Sequence, residues 1–287
     1  MSLSVKKPDW TYRLVIRLSR ALFRLFGLHI EVRGAQNLPL QGGAVIASNH
    51  LSFLDFMFVG LVGVNRGRLT RFLAKRGVFA LAPVRSAMNA MGHVPVDRFH
   101  GEVALREAVD KARSGEVVGI FPEAMISHSF TLRPFQPGAA AISIITQTPL
   151  VPVALWGTQR TATVGGRFAM RLGRGRGAAI TVLVGEPLRP GPGADPAEVT
   201  AVLRARVDDL LQQAMDEYPQ RPRNGADRWW VPACRGGAAP TQAQGLALDE
   251  AALLRSDPPP AGETKRHETN VRPTGTRARV SWDTHVS

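Results

Sequence analysis

Residues 43–64, GAVIASNHLSFLDFMFVGLVGV, decide the fold class. An apolar run leads into Ser48-Asn49-His50, and a second apolar run starts near Leu54. The first run is short and bounded, which suits a buried strand at 44–48. The second is long enough for a helix over 54–64. A strand that turns straight into a helix is the building unit of an α/β sheet. His50 sits at that corner, where the scaffold is rigid and the side chain is exposed. Asp55 falls in the first turn of the helix, where the helix dipole stabilises a carboxylate. From there it can reach back to the imidazole and fix its tautomer, leaving the other ring nitrogen to take a proton from a hydroxyl. This is the His–Asp half of a serine-protease triad without the serine, so the attacking oxygen would be the substrate's own alcohol. The chain contains no G-x-S-x-G segment, which weighs against a hydrolase. The His-x4-Asp spacing alone is a weak signal, because an aspartate cap beside an ordinary loop histidine reads the same way.

Working outward, the alternation continues. Strands are expected at 29–33, 69–74, 93–96, 117–121, 150–156 and 179–184, and helices at 84–91, 101–113, 136–147 and 196–216. The pattern predicts one α/β domain over 29–218, with a central mixed sheet flanked by helices. The last helix carries its own start signal: Asp195 to cap, Pro196 at the first position and Glu198 in the first turn. Gly165 to Gly177, GGRFAMRLGRGRG, reads as a loop that is either solvated or touches acidic headgroups.

The two ends differ from this middle. Over 9–27, Arg13, Arg17, Arg20 and Arg24 recur at helical spacing, with Leu14, Leu18, Ala21, Leu22 and Leu25 on a neighbouring face and Phe23 and Phe26 widening the apolar side. Residues 1–28 are therefore expected to form a basic amphipathic helix lying in a membrane interface; the alternative is a surface helix packed on the domain. Residues 219–287 are rich in Pro, Gly, Arg and Thr, and DPPP at 257–260 forbids regular structure, so an irregular tail is expected, disordered from about 257. Trp229 and Trp230 are the exception: they pack back on the domain or sit at a membrane interface.

The formal net charge of +13 favours anionic partners. No helix-turn-helix, zinc-finger or RNA-binding signature appears, so nucleic acid is not an expected partner. Cys234 is the one cysteine, which excludes an internal disulfide and a cysteine-based zinc site. The histidines are scattered without ligand spacing, and no glycine-rich nucleotide loop occurs, so neither metal nor cofactor is expected. Asp9, Arg13 and Arg17 interrupt any leader-like apolar start, and no stretch suits a bilayer span.

Three further blocks follow the first. GHVPVDR (92–98) is a short strand ending in Asp97-Arg98, VVGIFPEAMIS (117–127) carries Glu123 past a strand end, and LVPVALWG (150–157) is a buried strand. Alone, each reads as a turn salt bridge, a turn residue or plain core. In this order the four blocks resemble the glycerolipid acyltransferase family, which includes the 1-acyl-glycerol-3-phosphate acyltransferases. The matching residues are Asn49-His50…Asp55 with Ser52, Gly92…Asp97-Arg98, Phe121-Pro122-Glu123…Ser127 and Val151-Pro152-Val153. Lys75, in FLAKRGVFALAPV, is similar to the family's A-K-x-E-L lysine.

The resemblance covers roughly residues 20–215 and implies the roles. His50 would be the general base and Asp55 its orienting partner. Asn49, Ser52 and Glu123 would help build the acceptor site, and Arg98 would hold the acceptor's phosphate. Acyl-CoA or acyl-carrier protein would be the donor and a lysophospholipid the acceptor, at the cytoplasmic face of the membrane as a peripheral protein. The family's Gly-Thr-Arg after Pro-Glu is Ala124-Met125-Ile126 here, so Arg133, Lys75 or Arg76 would have to replace that arginine. The FPEAxIS form resembles a branch found in actinobacterial acyltransferases. Two alternatives remain open: an acyltransferase for a glycolipid or lyso-aminolipid, and a non-catalytic anionic-lipid binder.

Overall fold

The computed structural model describes residues 9–80, 82–96, 101–164 and 176–256. In chain order its elements are α1 (Trp10–Leu25), β1 (His29–Arg33), β2 (Ala44–Ser48), α2 (Asp55–Val64), β3 (Thr70–Lys75), α3 (Ala82–Ala90), β4 (Val94–Val96), α4 (Gly101–Arg113), β5 (Val117–Ile120), α5 (Gly138–Thr146), β6 (Leu150–Trp156), β7 (Ala179–Val184), α6 (Pro196–Asp216) and α7 (Gln242–Ser256). Described residues 9–249 form one compact unit, and 250–256, the last turns of α7, fall in a second.

Among the described residues the strands form one seven-stranded sheet in the order β1-β7-β6-β2-β5-β3-β4. β2 lies at its centre, parallel to β5 and β6; β3 and β4 continue in the same direction, and β7 turns antiparallel to β6 with β1 beside it. The sheet is mixed, as expected. All of β2 is buried because both its faces are covered, the usual state of a central parallel strand. Val45 and Ala47 meet the layer of α4, α5 and α6, whereas Ala44 and Ile46 meet α2 and Phe23 of α1. Gly119 in β5 is required by close approach: a Cβ there would lie 2.5 Å from the Phe72 ring. α6 starts as its sequence predicts, with Asp195 Oδ1 accepting the Ala197 N–H at 2.9 Å.

The structure adds detail at both ends. α1 docks part of its apolar surface on the domain: Phe23 is buried and stacks on Phe58, and the Tyr12 hydroxyl donates to the Thr70 carbonyl at 2.6 Å. Its exposed apolar stripe is Trp10, Leu14, Leu18 and Leu25, so Phe23 belongs to the body instead. Described residues of the expected tail carry some regular structure, and one tryptophan takes the first of the two placements expected for it. Short 3-10 turns at Gly225–Trp230 and Ala233–Arg235 and the helix α7 follow Pro219, and Trp230 is buried against Trp156 and Tyr218. The Ala- and Leu-rich run of α7 is a good helix former hidden in a Pro- and Gly-rich average. The expected disorder from 257, and most of the Gly165 to Gly177 loop, lie outside the described residues. No described helix is long and apolar enough to cross a membrane.

Candidate active site

The parallel strands β2, β5, β3 and β6 end on one edge of the sheet, the place where open α/β sheets gather functional groups. His50 lies two residues beyond β2 on this edge. Its Nδ1 is 2.9 Å from Asp55 Oδ2, at the first residue of α2. The same Oδ2 accepts the backbone N–H groups of Leu51 at 2.6 Å and Ser52 at 2.7 Å. These donors hold the carboxylate in place, and its second oxygen, Oδ1, has no hydrogen-bond partner among the described residues. Asp55 is fully buried while the His50 side chain is 20% exposed. A buried carboxylate on Nδ1 favours the Nδ1–H tautomer and leaves Nε2 free to accept a proton. It also stabilises an imidazolium in a poorly solvated corner.

The segment after β5 is the cradle of this histidine. Phe121 stacks on the imidazole with ring centroids 4.3 Å apart, and Phe72 stacks on Phe121 from behind in the space that Gly119 leaves. Glu123 Oε1 accepts the His50 backbone N–H at 2.9 Å, and the Ser127 N–H donates to the His50 carbonyl at 2.9 Å. The backbone of His50 is thus gripped from both sides. Glu123 Oε2 accepts the Arg133 N–H at 2.9 Å. Burial pushes the Glu123 carboxyl up to about 8, against the opposing pull of these two N–H donors and the Arg133 charge.

The sequence-predicted residues divide accordingly. His50 and Asp55 come together. Glu123, expected in the acceptor site, is buried with both oxygens on backbone donors, one of them the His50 N–H that it fixes in place. Asn49 and Ser52 are likewise scaffold. The Asn49 amide pairs with both backbone groups of Leu155, at 3.0 and 2.7 Å, and Ser52 donates to the Ala162 carbonyl at 2.6 Å. Arg133, expected to replace the missing arginine, donates Nη1 to the Glu123 carbonyl at 2.5 Å and pairs through Nε with Asp249 at 2.6 Å. Lys75 ends β3, is exposed, and lies on the same edge as His50, two strands away at roughly 10 Å. Arg98 lies outside the described residues. Ala124, at the family's glycine position, sits at φ 59°, a left-handed conformation that glycine adopts without strain.

Sequence reasoning did not single out Phe121, His128 or Asp249 as site residues. The aromatic just before Pro122 was a usable signal for the first. Asp249 is brought in from a helix more than a hundred residues downstream of its partner His128, and no spacing rule reaches that far.

A model of the family described as Acyltransferase matches residues 29–156. The 1-acyl-sn-glycerol-3-phosphate acyltransferase alpha of Bos taurus is 30% identical over 207 residues, covering 71% of this chain and 68% of that protein. The chloroplastic 1-acyl-sn-glycerol-3-phosphate acyltransferase BAT2 of Brassica napus is 31% identical over 162 residues, 55% of this chain and 44% of that protein. The chain thus spans less than half the length of that plant relative. The crystal structure of the 1-acyl-sn-glycerophosphate acyltransferase PlsC from Thermotoga maritima shares the fold, with a TM-score of 0.58 over 76% of this chain and 86% of that one at 20% identity.

Proposed function

This chain belongs to the acyltransferase family that holds the 1-acyl-sn-glycerol-3-phosphate acyltransferases, and on that premise we propose that it moves a fatty acyl group from a thioester to the free hydroxyl of 1-acyl-glycerol-3-phosphate. The observation that carries this reading is the partly exposed His50 imidazole on a fully buried Asp55 carboxylate, with no serine nucleophile in the pair. The acceptor's hydroxyl oxygen attacks the thioester carbonyl carbon as its proton passes to His50 Nε2. The tetrahedral intermediate collapses, the carbon–sulfur bond breaks, and the departing thiolate takes the proton back from Nε2. Asp55 offsets the imidazolium charge between the two transfers. Acyl-CoA or acyl-carrier protein supplies the thioester. Lys75 and Arg98 hold the acceptor phosphate, since Arg133 is committed to Glu123 and Asp249. α1 rests the protein on an anionic membrane surface from the cytoplasmic side, as a peripheral protein.

The test is thiol release from acyl-CoA by purified protein on anionic vesicles with 1-acyl-glycerol-3-phosphate, beside a glycolipid and a lyso-aminolipid acceptor. His50→Ala is expected to abolish turnover. Asp55→Asn is expected to lower kcat by roughly 10³-fold and leave the acceptor KM within about twofold, because its task is tautomer and charge control. Unchanged thiol release in His50→Ala refutes the mechanism, and preference for either other acceptor refutes the phosphate assignment.

A further inference from the structure

The first turns of α7, Gln242 to Asp249, pack within the catalytic unit in an unusual way. Over residues 241–249 its buried positions are Gly245 and Asp249, one helical turn apart, while Leu246 and Leu248 are exposed. A helix that served only to cover the domain would turn its leucines inward. Instead it brings a bare backbone and a carboxylate to the loop that follows β5. A Cβ at Gly245 would lie 3.0 Å from the Cβ of Ser129, so only glycine allows this approach without the neighbour yielding. Gln242 Nε2 donates to the Leu132 carbonyl at 3.2 Å. Asp249, 2% exposed, pairs with Arg133 through Oδ2 and hydrogen-bonds His128 Nδ1 through Oδ1. Burying a carboxylate carries a desolvation cost that well-placed charged and hydrogen-bonding partners offset.

The two partners of Asp249, Arg133 and His128, sit on the segment that grips the histidine. Arg133 is joined to Glu123 twice, N–H to Oε2 and Nη1 to the carbonyl, and Glu123 holds the His50 N–H. His128 follows Ser127, which holds the His50 carbonyl. A continuous run of polar contacts therefore joins Asp249 to His50. Asp249 lies well beyond residues 29–156, which carry the family match.

We propose that Asp249 is a positioning residue for acyl transfer: through Arg133 and Glu123 it sets the place of the His50 imidazole, making the first turns of α7 a working part of the site. This rests on the reaction proposed above and adds to it. The charged and titratable groups around the linkage are Asp55 on α2, Glu123, His128 and Arg133 on the loop after β5, and Arg204 on α6, whose Nε donates to the Arg133 carbonyl.

The test compares Asp249→Asn, Asp249→Glu, Arg133→Gln and the Asp249→Asn/Arg133→Gln double variant in the full chain, with melting curves to correct for folded fraction. Asp249→Asn is expected to lower kcat roughly tenfold, with both KM values within about twofold, as a slightly misplaced base would. Asp249→Glu should recover much of that loss. In the Arg133→Gln background the Asn change should add less than about twofold, because the two side chains act as one unit. A second readout needs no turnover: the proton NMR line of the His50 Nδ1–H, identified by its loss in His50→Ala, should shift in Asp249→Asn and return towards its place in Asp249→Glu. Should the wild type prove inactive while the line shifts, the reaction falls and the positioning stands. An active wild type whose kcat and His50 line both ignore Asp249→Asn overturns the positioning alone, as do single-variant losses that simply multiply.

Discussion

Glu123 is held between opposed forces. Burial pushes its carboxyl up to about 8 from an ordinary 4.5, while two backbone N–H donors and Arg133 favour the charged form. The sign of its effect on stability follows. Between 4.5 and about 8 the unfolded chain has released this proton and the folded chain still holds it. The group's contribution is therefore complete below 4.5, declines through the window and is flat above about 8. We expect the unfolding free energy of the wild type, measured against Glu123→Gln, to fall by roughly 1.4 kcal/mol per pH unit across that window. The comparison with Gln matters because His93, buried near Arg71 and Lys111 and pushed down to about 4, acts in the opposite direction: it adds stability as pH rises from 4 to 6.5 in both proteins. A wild-type-minus-variant difference that is level from pH 5 to 8 would show that Glu123 is ionised throughout. At this scale the sequence was informative where chemistry is local. His50 and Asp55 are five residues apart across one strand-to-helix corner, and their spacing can be read directly. Glu123 is legible as a site candidate but its partner is not, because it binds a backbone group 73 residues away, which no side-chain pattern announces. The partners of Asn49 and Ser52 are hidden for a related reason, since a polar side chain that bonds a distant backbone group reads like a ligand contact until its partner is known.

Among the elements, α1 shows what periodicity can and cannot resolve. Its sequence has one wide apolar arc and one arginine arc. The structure divides the apolar arc in two. Tyr12, Val15, Ile16 and Phe23 are wholly or partly buried, whereas Trp10, Leu14, Leu18 and Leu25 stay exposed beside Arg13, Arg17, Arg20 and Arg24. Helical spacing finds the arc but does not say which part of it has a protein partner. An exposed apolar stripe edged by guanidinium groups suits an anionic bilayer, where the stripe enters the acyl boundary and the arginines meet headgroups. Changing Leu14 and Leu18 to Gln is expected to weaken partition onto phosphatidylglycerol vesicles by roughly tenfold or more, and 0.5 M salt should weaken wild-type binding as well. Arg→Glu at 13, 17, 20 and 24 should abolish it. The melting temperature should hardly change in the leucine variant, because both leucines are already in water and the buried face is untouched. Vesicle sedimentation that does not distinguish the leucine variant from the wild type removes α1 from the membrane contact.

For the molecule as a whole, the strand and helix positions of the sheet were legible almost to the residue, because each element is a bounded apolar run with its own turn signals. In the segment after α6 the aromatic anchors Trp229 and Trp230 are legible as candidates to pack back on the domain, whereas α7 is hidden in an average with prolines and glycines. Those anchors tie the tail to the sheet. Trp230, 2% exposed, packs on Trp156 at the end of β6 and on Tyr218, with ring centroids 6.5 and 5.6 Å away. The Arg160 guanidinium lies over its ring at 4.7 Å, and the Tyr218 hydroxyl donates to the Ala179 carbonyl at the start of β7. A side chain of this size and burial is worth roughly 3–5 kcal/mol on truncation, so Trp230→Ala should lower the denaturation midpoint of the entire unit in one transition. Trp230→Phe should lose distinctly less. It keeps most of the ring contact and removes an indole N–H that has no hydrogen-bond partner among the described residues. If the tail were only appended, Trp230→Ala would instead leave the main transition in place, with at most a small separate loss of tryptophan burial. A single cooperative shift would mean that the sheet and the segment carrying Asp249 fold together, the condition under which a carboxylate so far along the chain can be relied on to steady His50.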